Sequence, residues 1–221
     1  RRFPLGTGNR LVDSNTSNRR KAILSSYSGD YELAISLLDE GDAKVRGAAL
    51  SSLEKLGKLS GKMLEKSVYD PSPEVRKRAI ELLAKRPEEI PLNVFDDTDP
   101  LVVETACWAA GEKENQTHEV INQLCLIADS HTDQLCREAA VAALGSIGSP
   151  LGLETVLEAL KDKPAIRRRA AIALAAFDDP KVDEALKKSL NDRDWQVRQI
   201  AEDLLDVNRV ISPVDIGPRP D

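Results

Sequence analysis

The chain has 221 residues, of which 31% are charged and only 4% aromatic, and it carries a net charge of −6. Large aromatic side chains usually dominate a big single core, so this composition argues against one, and the acidic balance disfavours nucleic acid as a partner. No apolar run approaches the ~20 residues of a membrane span, and nothing reads as a secretory signal.

The charge is unevenly placed. Arg1, Arg2, Arg10, Arg19, Arg20 and Lys21 face only Asp13 in the first 21 residues, so the remainder is more acidic than the whole. Residues 1–14, which open "RRFPLGTGNR", read as a basic leader. Two readings of it stand: a solvated segment, or the flank of a membrane anchor on the cytoplasmic side, where basic residues gather. The start at Arg1 rather than methionine suits a fragment or a processed form.

Residues 15–207 repeat themselves, and a repeat takes precedence over every other sequence signal. The triplet Val75, Arg76, Ala79 returns as Val45, Arg46, Ala49, then Val102, Val103, Ala106, then Cys136, Arg137, Ala140, then Ile166, Arg167, Ala170, and finally Val197, Arg198, Ala201. A degenerate copy, Asn18, Arg19, Ala22, precedes them, and the interval is close to 30 residues throughout. Eight residues after each anchor stands Leu53, Leu83, Ala110, Leu144, Leu174 or Leu205. Offsets of zero, four and eight share one helix face, and the alanine admits a close neighbour, so these segments are predicted inner helices. A second amphipathic stretch precedes each, for example "YELAISLLDE" or "PKVDEALKKSL". The linking loops hold Asp with Ser or Pro, which suit the start of a helix. One helical hairpin cannot bury its apolar stripe, so the copies must stack. The expected fold is all-α, a right-handed α-solenoid of about six hairpins.

The order Asp and Pro, then Val-Arg, two residues, Ala, and a downstream Leu-Gly resembles the short HEAT repeat, the variety named after phycobilisome lyases. "DPSPEVRKRAIELL", "CREAAVAALGSIGSPLGLETVLEAL" and "NDRDWQVRQIAEDLL" match it best. The third unit departs, with Val103 in place of Arg and two prolines in "RPEEIPLNVFDD", so its first helix is predicted short or bent. The resemblance implies a scaffold whose partner surface is the concave face formed by the inner helices, two, three and six residues after each anchor. Six after the anchor stand Ser51, Glu81, Trp108, Ala142, Ile172 and Asp203; two after stand Gly47, Lys77, Glu104, Glu138, Arg168 and Gln199. The apolar centre Trp108, Ala142 and Ile172, rimmed by Glu104, Glu138 and Arg168, has the composition of an interaction hot spot. The competing reading is that Trp108 only fills space between helices whose neighbours are alanines.

The recurring arginines Arg46, Arg76, Arg137, Arg167 and Arg198, with Arg19 as a degenerate first rung, also admit two readings. Each follows a buried anchor, so its stem should lie on apolar surface while its guanidinium meets an inter-repeat Asp or a carbonyl. The other reading is anion binding. Trp195, in the loop "NDRDWQ", is expected to staple that turn to the preceding repeat.

Catalytic readings find little support. HEAT-type deoxyhypusine hydroxylases hold two irons with several His-Glu pairs, whereas this chain has only His118-Glu119, and His131 sits in a loop where exposure is expected. Cys107, Cys125 and Cys136 stand at no metal-ligand spacing and read as buried, reduced thiols, which points to a reducing, cytoplasmic setting. No cofactor and no metal is therefore called for. HEAT-like DNA glycosylases bind duplex through a concave face, but here basic residues cluster only locally, at Lys161, Lys163, Arg167, Arg168 and Arg169. The reading is a non-enzymatic scaffold or adaptor that binds a protein or peptide in its groove. Two rivals stay open: a small-molecule role of the bilin-lyase type in the same groove, and phosphate or nucleic-acid binding through Lys161, Arg168 and Arg169. Residues 208–221, with three prolines, read as an extended tail that covers the last repeat or binds elsewhere.

Overall fold

A β-branched or thiol anchor, an alanine one turn later and a leucine one turn after that give each inner helix a narrow stripe that accepts a neighbour at short distance. The computed structural model describes residues 8–211 and shows those stripes paired. Its α-helices are α1 (Gly8–Ser28), α2 (Tyr31–Ser36), α3 (Ala43–Lys55), α4 (Gly61–Val68), α5 (Pro73–Leu83), α6 (Pro100–Gly111), α7 (His118–Ser130), α8 (Gln134–Ile147), α9 (Leu153–Ala159), α10 (Pro164–Ala173), α11 (Pro180–Ser189) and α12 (Trp195–Ile211). Among the described residues there is no strand, and the architecture is an all-α solenoid of stacked hairpins.

The chain divides after Val94 into two compact units. In the first, α3 packs between α1 and α5, with α2 and α4 laid on the outside of α3 and α5. In the second, the inner helices α6, α8, α10 and α12 stack in order, while α7 packs on α8, α9 on α10 and α11 on α12. Every anchor from Val45 to Val197 is buried, as is every alanine four residues on. Of the third stripe position, Leu53, Leu83, Ala110, Leu144 and Leu174 are buried and Leu205 is half-buried. Each fully buried Val or Leu contributes about 1.5–3 kcal/mol by leaving water, which makes the stripes the main source of cohesion.

Helix starts follow the loop chemistry. Asp42, Asp99 and Asp133 accept backbone N–H bonds at the heads of α3, α6 and α8, and Asp194 accepts from Gln196 at the head of α12. Where "RPEEIPLNVFDD" interrupts the pattern, the outer helix is replaced by a single 3-10 segment, Leu92–Asp96, because Pro87 and Pro91 remove donors and fix the backbone. The division between units falls in this segment. Val103, which takes the arginine position, is fully buried.

The downstream Leu-Gly has a steric cause. A Cβ on Gly145 would stand 2.9 Å from the Cα of Ala173, and one on Gly111 would stand 3.1 Å from the Cα of Ala143. The next inner helix therefore approaches backbone to backbone at this offset. Gly148 then ends α8 at φ 62°, a left-handed conformation that an L side chain resists.

Two boundaries differ from the sequence expectation. Helix α1 starts at Gly8, inside the expected leader, and α12 runs on through residues 208–211, inside the expected tail. "NRVI" holds no helix breaker, and the first proline of the tail is Pro213. The rest of the leader, residues 1–7, and the tail from residue 212 lie outside the described residues. No helix among the described residues is long and apolar enough to cross a membrane.

Candidate functional site

Engagement of the recurring arginines decides which charges remain available. Arg167 donates from Nε and Nη2 to both oxygens of Asp192 at 2.9 Å, and from Nη1 to the Asp162 carbonyl at 2.9 Å. Arg137 grips Asp162 in the same way at 2.9 and 3.2 Å, and Arg46 grips Asp70 at 2.8 and 2.7 Å. Arg76 and Arg198 donate to the carbonyls of Asp70 and Asp192, at 2.9 and 2.7 Å. Each such aspartate thus takes the preceding repeat's guanidinium on its carboxylate and its own repeat's guanidinium on its carbonyl. Arg137 holds the Asp162 carboxyl below the usual carboxylate range. For Asp192, burial pushes upward, but Arg167 and the Asp194 N–H outweigh it, and the carboxyl also lies low. Arg19 is exposed on α1 and stands outside this pattern.

The phosphate-binding candidates are engaged as well. Arg168 pairs with Asp194 at 3.1 Å and donates to Gln196 at 2.7 Å, Arg169 pairs with Glu138 at 3.5 Å, and Lys161 pairs with Glu158 at 2.5 Å.

A groove of about 320 Å³ runs between α6 and α8 in the second unit. Helical periodicity builds its walls. Glu104 and Trp108 on α6 and Glu112, which caps it, recur every four residues and line one side; Leu135, Glu138, Ala142 and Ser146 line the other from α8, with Arg169 reaching in from α10. Trp108 is 42% exposed, although it stands in a helix whose other side is solid core. The alanines opposite, Ala139 and Ala142, are too small to cover its ring. Neither Glu104 nor Glu112 has a side-chain hydrogen bond or ion pair among the described residues.

The structure therefore brings together four of the six residues read from the sequence, Glu104, Trp108, Glu138 and Ala142. It leaves two outside. Arg168 turns to the following repeat, and Ile172 is 50% exposed on α10 beyond the groove. The cation at the rim is Arg169 instead. The signal for it lay in the position three after the anchor, where Arg78 also reaches back one repeat to donate to Ser51 at 2.9 Å. Glu112 and Leu135 lie one turn beyond the offsets expected to face inward, so the repeat spacing carries no signal for them.

Two larger cavities, of about 450 and 520 Å³, lie among the outer helices α7, α9 and α11. Their charged linings are largely self-neutralised, by Glu154 with Lys181 and by Glu158 with Lys161. Trp195, expected to staple its turn, opens α12 with 65% of its surface exposed, since it stands two residues, about 200° of helical rotation, before the buried anchor Val197. His131 is half-buried rather than simply exposed: its Nδ1 accepts the Asp133 N–H at 3.0 Å. Cys107 and Cys136 are buried and Cys125 is half-buried, all as free thiols. Burial pushes the Cys136 thiol up to about 11 and raises the other two. Among the described residues no three His, Cys, Asp or Glu side chains gather as metal ligands would.

Comparison with known proteins agrees with this architecture. The family model described as HEAT repeats matches twice, over residues 61–144 and 121–206. A crystal structure of YibA from Escherichia coli, 18% identical, superposes with a TM-score of 0.60 over 95% of this chain and 78% of that one. An engineered protein, 20% identical, gives 0.55 over 80% of this chain and 57% of that one. Human deoxyhypusine hydroxylase in complex with glycerol, 19% identical, gives 0.47 over 87% and 79%. No curated protein matches the sequence.

Proposed function

The chain belongs to the HEAT-repeat family, and from that premise we propose that it is a non-enzymatic scaffold that binds a segment of a partner protein along the groove between α6 and α8. The observation that carries this reading is Trp108: a large aromatic ring left 42% exposed over a floor of alanines, with open carboxylates on both sides of it. Burying such a ring supplies much of the affinity in a typical interface, and a helical wall that is already ordered keeps the entropic cost of binding low.

Site-specific photocrosslinking tests this. A benzophenone amino acid in place of Ala142 should trap a partner in cells, and the same group in place of Glu184 on α11 should not. Truncation of the ring by Trp108→Ala should weaken the trapped partner's affinity by roughly 30-fold, the effect of losing an interface hot spot. Capture from Glu184 alone would place the interaction on the outer helices and reject the groove.

A further inference from the structure

Glu104 and Trp108 on α6 and Glu112 at its C-cap stand at i, i+4 and i+8, so the exposed ring has a carboxylate one turn to either side of it on the same wall of the groove. Across the groove, Glu138 is already paired with Arg169 at 3.5 Å, while Glu104 and Glu112 are open. The lining thus holds three carboxylates against one cation. A second source of negative potential acts at one end. Gly111, Glu112 and Ser146 lie in or just past the last turns of α6 and α8, where the aligned peptide dipoles give a helix terminus partial negative charge. An indole face, two open carboxylates and two helix C-termini all favour the same guest, a cation with a flat or compact apolar shoulder.

We propose that the groove is a subsite for an arginine or lysine side chain of the partner segment, which lies over the Trp108 ring between Glu104 and Glu112. This deepens the reading of the groove as a partner surface and rests on it. Charge complementarity selects the occupant: an acidic or phosphorylated segment would face open carboxylates and would find the nearby cations Arg168 and Arg169 already paired. The alanine floor at Ala139 and Ala142 leaves room for the side-chain stem, and Leu135 offers it apolar contact at the other end of the groove.

The test uses the whole chain and fluorescein-labelled decapeptides read by fluorescence anisotropy. One peptide alternates leucine and arginine, a second replaces each arginine by citrulline, its neutral near-isostere, and a third replaces each by glutamate. Wild type should bind the arginine peptide about tenfold more tightly than the citrulline peptide and should bind the glutamate peptide least. Glu104→Gln with Glu112→Gln should remove the preference for arginine over citrulline, while circular dichroism shows the helices intact. Equal affinity for arginine and citrulline in wild type overturns the proposal, as does an unchanged preference in the double variant, or failure of the arginine peptide to bind wild type at all. Trp108→Ala separates the two levels of inference. If it abolishes binding of both neutral and charged peptides that wild type holds equally, the groove stands and the cationic guest falls; if it alters neither, the groove itself is rejected.

Discussion

Replacement of Arg167 by methionine tests the inter-repeat ladder at its most buried rung, where the arginine side chain is only 5% exposed. The variant loses two bonds to Asp192 and one to the Asp162 carbonyl, all at 2.9 Å, and keeps most of the stem's packing volume. Breaking one side of a buried ion pair costs about 3–5 kcal/mol. Asp192 is 16% exposed and retains the Asp194 N–H at 2.7 Å, so part of its stranded charge is still solvated. That lowers the expected loss to about 2–4 kcal/mol, a fall in Tm of roughly 6–12 °C for a chain of this size. Thermal and urea unfolding followed by circular dichroism at pH 7 give the number. Asp192→Asn in the same background should cost less than the sum of the single changes, since no unpaired charge then remains. The pH dependence has a definite sign. Asp192 is held below its ordinary value of about 3.9, so its contribution is complete above that pH and is lost as pH falls through the lower folded value. The gap in Tm between wild type and Arg167→Met should therefore narrow between pH 5 and pH 3, a window set by that ordinary value of about 3.9. A loss below about 1 kcal/mol at pH 7, within the range of an exposed pair, would refute the reasoning, and so would a gap that stays constant on acidification.

Close approach of the inner helices makes two glycines respond in opposite directions. Gly145→Ala places a Cβ 2.6 Å from the Ala173 Cβ and 2.9 Å from its Cα, which forces α8 from α10 and should destabilise by about 1–3 kcal/mol in urea unfolding. Gly47→Ala, inside α3 with nothing within 4 Å, should instead stabilise by about 0.5–1 kcal/mol through helix propensity. The thiols should divide by burial: an aromatic disulfide reagent at pH 8 should modify Cys125 in the folded protein, and Cys107 and Cys136 only in urea, with mass spectrometry of the digested protein to assign the sites. Modification of Cys136 in the native protein, against a thiol pushed up to about 11, would show that α8 opens readily.

The repeat, its helical hairpins, their caps and their buried stripes were legible in the sequence because they rest on short-range regularities. Val45, Ala49 and Leu53 meet one face of one helix whatever lies beyond it, and Asp42 caps α3 from two residues away. The proline-rich break before Phe95 was legible as a weak first helix for the same reason. What the tertiary structure decided were choices between neighbours in sequence whose partners lie a whole repeat away. Arg168 and Arg169 are adjacent, yet about 100° of helical rotation sends one forward to Asp194 and the other back to Glu138. Trp108 could have been core or surface from its spacing; its exposure follows from the alanines that happen to face it on α8. Whether Glu104 and Glu112 stayed open, while Asp70, Asp162 and Asp192 were each taken by an arginine, depended on which guanidinium the stacking brought within hydrogen-bond reach. A local pattern sets the shape of each repeat, but the charge left over for a partner is settled only by the contacts between repeats.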